Sequence, residues 1–197
     1  MVAKDIGVFG GTFDPIHVGH LVAAVNVRHT LALDRLLLVV ANVPWQKAGS
    51  RSITPAEDRF AMVAAAVAGV PGLEASRIEI DRGGLSYTAD TLAEVSSANP
   101  GANLYCVVGA DAAPELATWE RADEIARLAT LVIVNRPGAS LPGELPGWKV
   151  VEVVVPALEV SSTDLRARAA DGRPLDYLVP DAAVHTIRTR GLYAEGR

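Results

Sequence analysis

Near its N-terminus the chain reads Val8-Phe9-Gly10-Gly11-Thr12-Phe13-Asp14-Pro15-Ile16-His17-Val18-Gly19-His20, and no other stretch restricts the fold so tightly. A short apolar run passes through a glycine-rich turn into a segment of helical character, as at the join of strand and helix in an α/β layer. Glycines there let the backbone approach a ligand closely. The free N–H groups and positive dipole end of the helix attract an anion. His17 and His20 stand where the helix begins and add ring donors that become cationic when protonated. The stretch reads as a phosphate site. It has no lysine followed by Ser or Thr after its glycines, so it is not a P-loop, and it does not read G-x-G-x-x-G. Taken alone, two histidines at i and i+3 also suit a partial metal site or two unrelated surface positions.

The rest of the chain alternates short apolar runs with longer helical patterns, which predicts a mainly parallel sheet covered on both faces, a doubly wound α/β fold in a single domain over residues 1–197. Strands are expected at residues 6–9, 36–40, 76–80, 104–108, 131–134 and 150–155. Helices are expected over 19–31, after the capping box Thr54-Pro55-Ala56-Glu57 with Phe60, Val63 and Val67 buried, after Thr88 as N-cap, from Trp119 to Leu128, from Ser161, and from Pro180 to just before Gly191. Residues 137–148, with three prolines and three glycines, read as a surface loop.

Composition narrows the chemistry. The 197 residues are half hydrophobic and carry a formal charge of −5, which gives no general attraction to nucleic acid or to an anionic membrane. The positive partner of a polyphosphate must then be local. Cys106 is the single cysteine, which excludes an internal disulfide and a thiolate cluster, and its apolar setting suits a buried structural thiol. The first residues run into a strand with no room for a signal peptide, and the longest mostly apolar run, residues 60–70, is too short to span a bilayer. A cytoplasmic protein is expected. Nothing in the chain opposes a homo-oligomer.

The run Gly10-Gly11-Thr12-Phe13-Asp14-Pro15-x-His17-x-Gly19-His20 resembles the signature of the nucleotidyltransferase superfamily, whose H-x-G-H motif binds nucleoside triphosphate. Three further stretches resemble the bacterial nicotinate-mononucleotide adenylyltransferases: Ser86-Tyr87-Thr88-Ala89-Asp90-Thr91-Leu92, Gly109-Ala110-Asp111 with Trp119 downstream, and Val160-Ser161-Ser162-Thr163-Asp164-Leu165-Arg166. The likeness covers essentially the whole chain. It implies a Rossmann-like fold with strand order 3-2-1-4-5, and adenylyl transfer from ATP to nicotinate mononucleotide with release of pyrophosphate, a step of NAD synthesis. The nearest alternatives are transferases acting on nicotinamide mononucleotide or phosphopantetheine, and a non-catalytic nucleotide-binding module.

The resemblance also implies roles. His17, His20, Lys47 and Arg166 are the catalytic candidates. ATP would meet Gly10, Gly11, Thr12, Phe13, His20, Gly109, Asp111, Ser161, Ser162, Thr163 and Arg166. Nicotinate mononucleotide would meet Thr12, His17 and Lys47, with backbone groups around Tyr87 and Thr88 on its carboxylate and Trp119 stacked on its ring. Several of these residues have plainer readings. Ser161, Ser162 and Thr163 form an ordinary cap cluster, Lys47 is a loop lysine, Asp111 can cap a turn and Trp119 suits a core. Asp14 beside Pro15 suits turn-building better than metal ligation. The chain reads Trp45-Gln46-Lys47 where many members have a histidine before the lysine. No His, Cys or carboxylate cluster has protein-cage spacing, so no dedicated metal site is expected and Mg²⁺ should arrive with ATP.

Overall fold

A computed structural model describes residues 4–44, 52–135 and 145–194. Six strands, β1 (Asp5–Gly11), β2 (Arg35–Val40), β3 (Leu73–Ser76), β4 (Asn103–Gly109), β5 (Ala129–Asn135) and β6 (Val150–Val154), form one sheet in the order β3-β2-β1-β4-β5-β6. Every pairing is parallel. The order contains the expected 3-2-1-4-5 and adds β6 at the far edge. After β3 the chain crosses to the other side of β1, so the topological switch lies between β1 and β4. Ligands of open α/β sheets bind at the carboxyl ends of the strands beside such a switch.

Period-two alternation sends side chains to both faces, as a sheet buried on two sides requires. Leu36, Leu38, Val40, Val107 and Val132 meet α1 (Val18–Thr30), α2 (Ala56–Val67) and α7 (Asp181–Thr189). Ile6, Val8, Leu37, Val39, Cys106, Val108, Leu131 and Ile133 meet α4 (Thr88–Ala98) and α5 (Ala122–Leu128) on the opposite face. Each fully buried Leu, Ile or Val side chain contributes roughly 1.5–3 kcal/mol of transfer free energy. α6 (Ser162–Ala170) adds Leu165 to the first face.

Five local expectations need correction. The third strand lies at Leu73–Ser76, while Ile78–Arg82 forms a short helix, α3. The Ile78-Glu79-Ile80 alternation is too short for its period to decide between the two. Thr54 does not cap α2; Pro55 holds that position, and the Thr54 carbonyl accepts from the Arg59 Nε–H at 2.7 Å. In α2 the buried set is Arg59, Met62, Val63 and Val67, and Phe60 lies half-buried under the Arg77 guanidinium, 5.3 Å from its ring centroid. Tyr87 holds the N-cap position of α4 with no side-chain cap bond, and Thr88 is the first helical residue. Trp119 does not open a helix; it ends the 3₁₀ segment Ala110–Thr118, and α5 follows from Arg121 in a left-handed conformation (φ 56°).

Candidate active site

At the carboxyl end of β1, adjacent glycines serve opposite ends. A Cβ on Gly10 would meet nothing within 4 Å, because that position opens onto a cleft, whereas one on Gly11 would lie 2.7 Å from the Phe13 ring. Phe13 takes a left-handed conformation (φ 50°) that turns its ring back over Gly11 and edge-on to His20, 5.0 Å between centroids. Placing a bulky residue at positive φ costs energy that the packing around it must offset. Asp14 is buried and accepts the Tyr193 hydroxyl at 2.8 Å, consistent with the turn-building role.

His17 holds the N-cap position of α1. Its backbone N–H donates to His20 Nδ1 at 3.2 Å, and the two rings stack with centroids 3.7 Å apart. Accepting at Nδ1 puts the proton of a neutral His20 on Nε2. Burial pushes the His17 imidazole down to about 4, so it is neutral near pH 7 and becomes cationic only well below the ordinary histidine range. Its Nδ1 is buried with no protein partner.

α6 reaches the same loop from the far side of the sequence. The Ser162 hydroxyl donates to the Pro15 carbonyl at 3.0 Å, and Arg166 Nη1 donates to the Asp14 carbonyl at 2.8 Å. A second Arg166 N–H meets Thr163 Oγ1 at 3.2 Å, and Ser161 caps the helix by accepting from the Asp164 N–H. The cap reading of Ser161 therefore holds. Ser162 and Arg166 meet loop carbonyls, which brings the α6 N-terminus against the loop after β1.

Two clefts open here, meeting at Phe9 and Gly109. One, of about 450 Å³, is lined by His17, Gly19, His20, Asp111, Asn135 and Val160 among others. Asp111 is exposed at its rim. The other, of about 250 Å³, is lined by Gly10, Gly11, Thr12, Tyr87, Thr88 and Trp119, together with Glu79 and Ser86. Trp119 Nε1 is buried without a protein partner. Cys106 lies in the wall of this cleft, and burial raises its thiol to about 12, so it stays protonated as a structural thiol would. Trp45, Gln46 and Lys47 lie outside the described residues.

Two residues that the sequence reading passed over organise these clefts. Arg59, 1 % exposed, donates to the carbonyls of Thr54 (2.7 Å), Thr12 (2.8 Å) and Asn42 (3.0 Å), so one guanidinium ties the loops after β1 and β2 to the start of α2. Its signal was its place with Met62 and Val63 in an i, i+3, i+4 stripe. Glu79, 6 % exposed, accepts from the Thr91 hydroxyl at 2.6 Å. Its carboxyl is pushed up by burial against the opposing pull of the Ser86 and Thr91 hydroxyls and Arg82. Its signal was a carboxylate between two isoleucines.

Among the described residues, no group of three or more His, Cys, Asp or Glu could hold a metal ion, and no helix is long and apolar enough to cross a membrane.

Residues 8–168 match the model of the cytidylyltransferase-like family. The chain is 50% identical over 192 residues to the probable nicotinate-nucleotide adenylyltransferase of Corynebacterium kroppenstedtii, covering 95% of this chain and 90% of that one. It is 48% identical over 185 residues to the one from Streptomyces coelicolor, covering 93% and 98%. Among solved structures, a Plasmodium falciparum nicotinic acid mononucleotide adenylyltransferase complexed with NaAD superposes with a TM-score of 0.80 at 18% identity, covering 96% of this chain and 97% of that one.

Proposed function

The chain belongs to the nicotinate-nucleotide adenylyltransferases of the cytidylyltransferase-like family, and from the two clefts we propose how it transfers the adenylyl group of ATP to nicotinate mononucleotide. The whole chain acts as a single nucleotidyltransferase domain. The observation that carries the assignment of substrates is the meeting of a histidine-lined and a tryptophan-lined cleft at Phe9 and Gly109, at the sheet's topological switch.

ATP takes the histidine side, with adenosine beside Gly109 and Asp111. Its phosphates lie on His17, His20, the Gly10 and Gly11 amides and Thr12. Neutral imidazoles donate ring N–H hydrogen bonds to phosphate, and the phosphate in turn favours protonation of His17. Phe13 acts through its packing on Gly11 and His20. Ser161, Ser162 and Thr163 bring the α6 N-terminus to the triphosphate, and Arg166 adds a cation while bracing the Asp14 carbonyl. Lys47 is assigned to the phosphates of both substrates. Mg²⁺ would arrive with ATP rather than in a protein cage, and would supply positive charge to the phosphates.

Nicotinate mononucleotide takes the other cleft. Its ring stacks on Trp119, its carboxylate meets N–H groups at Tyr87 and Thr88, and its phosphate lies near Thr12, His17 and Lys47. A phosphate monoester with second pKa near 6 is largely dianionic at neutral pH, so its oxygen attacks without a strong general base. The new bond forms to the α-phosphorus of ATP as the bond to the β-phosphate oxygen breaks, and pyrophosphate leaves with that electron pair. Alignment and charge stabilisation supply the catalysis.

The test is pyrophosphate release with ATP and either pyridine mononucleotide or phosphopantetheine. A strong preference for the nicotinate form is expected. Preference for another acceptor overturns the acceptor assignment, and no release with any of them favours a non-catalytic module.

A further inference from the structure

Glu79 places a negative charge in the cleft assigned above to an anionic acceptor, an assignment on which this inference rests. Such a charge is costly both to bury and to keep beside a pyridine carboxylate. The hydrogen bonds around it, with the Arg82 guanidinium 3.9 Å from Oε1, account for its presence. Arg82 Nη2 donates to Thr91 Oγ1 at 3.0 Å, which leaves the Thr91 hydroxyl proton to point at Glu79 Oε1, 2.6 Å away. On the other side the Asn42 backbone N–H donates to Ser86 Oγ at 2.8 Å, and the Ser86 hydroxyl draws the Glu79 carboxyl toward its charged form against the effect of burial. Each hydroxyl thus has an acceptor lone pair occupied by an N–H donor and keeps its single proton for an acceptor, which for Thr91 is Glu79 Oε1 at 2.6 Å in preference to the Tyr87 carbonyl at 3.3 Å. Ser86 and Thr91 bracket Tyr87 and Thr88, whose amides lead into α4, and the Thr91 backbone N–H returns to the Tyr87 carbonyl at 3.3 Å.

We propose that Glu79 is a positioning residue that sets acceptor specificity: by binding the Ser86 and Thr91 hydroxyls it fixes the Tyr87 and Thr88 amides for a carboxylate. Those hydroxyls also occupy Glu79 oxygens that would otherwise accept an N–H from a carboxamide. The segment therefore presents donors to the ring substituent, and its own acceptor is engaged. A neutral amide at position 79 cannot receive both hydroxyl protons in the same geometry without turning its NH₂ toward one of them.

The test is a double-mutant cycle of Glu79→Gln and Thr91→Val, read by steady-state kinetics with both pyridine mononucleotides. Each single change is expected to raise KM for nicotinate mononucleotide and to lower the nicotinate-to-nicotinamide ratio of kcat/KM, both on the order of tenfold, with KM for ATP within about twofold. The double variant is expected to match the worse single variant, because both cut one link. Additive effects overturn the proposal, as does a lowered Tm with both KM values unchanged. Thr91→Val retains the carboxylate and keeps the test open if Glu79→Gln folds poorly. Trp119→Ala serves as the control for the cleft itself: if it raises KM for ATP rather than for the mononucleotide, the cleft assignment fails whatever Glu79 does.

Discussion

The two clefts differ in how the chain builds them. The histidine side sets one local segment, with Phe9 of β1 and His17, Gly19 and His20 at the start of α1, against residues at the ends of β4, β5 and β6 such as Gly109, Asn135 and Val155. The ring side draws on the loops after β1 and β2, α3, the start of α4 and the segment after β4, and is held by Glu79 and Ser86 at its wall. A site for phosphate can be local because helix N–H groups and glycine amides are supplied by the backbone itself. A site that must tell one ring substituent from another needs donors fixed from several directions, so its parts are spread through the sequence.

Damage to the two sides is expected to separate in kinetics. The largest effect is expected on the phosphate side: His20→Ala should lower kcat on the order of a thousandfold, as loss of a preorganised donor to transition-state charge does, with little change in Tm. Normal turnover in that variant would remove His20 from catalysis.

A smaller effect belongs to His17 and is read in stability. Its folded-state pKa of about 4 lies below the ordinary value of 6.5, so the folded state resists protonation that the unfolded chain accepts. Its contribution is whole above pH 6.5 and falls as pH drops through 4, by roughly 3 kcal/mol in the absence of ligand. Urea titrations from pH 7.5 to 4 should show a steeper loss in the wild type than in His17→Gln. Equal slopes would mean that the ring is not held neutral.

The smallest change is expected on the ring side. Trp119→Ala should raise KM for the mononucleotide on the order of tenfold through lost stacking, with KM for ATP little changed. Unaltered affinity for the mononucleotide would take Trp119 out of the site and erase the contrast between the clefts.

The same contrast governs what could be read from the residues alone. The alternation of strands and helices, the start of α1 to within a residue or two and the grouping of the glycines with both histidines were legible, because each depends on local pattern, whereas the strand order was implied only by the family resemblance. Glu79 and Arg59 were not, since a buried charge is recognised by its partners, and those of Arg59 lie at Thr12, Asn42 and Thr54. Thr54 and Thr88 have good capping chemistry but do not cap: Pro55 and Tyr87 hold those positions, with the Thr54 carbonyl serving Arg59. The charge state of His17 was equally hidden. A histidine in a glycine-rich loop gives no sign that burial will push its pKa down to about 4.

The most direct measurement is a crystal structure with the dinucleotide product, nicotinate adenine dinucleotide, whose two halves must separate between the clefts. The pyridine ring is expected against Trp119 with its carboxylate at the Tyr87 and Thr88 amides, and the adenosine beyond Phe9 and Gly109, next to Asp111. Both heterocycles on one side of Phe9, or a pyridine ring outside the Trp119 cleft, would contradict the partition of substrates from which every role above is assigned.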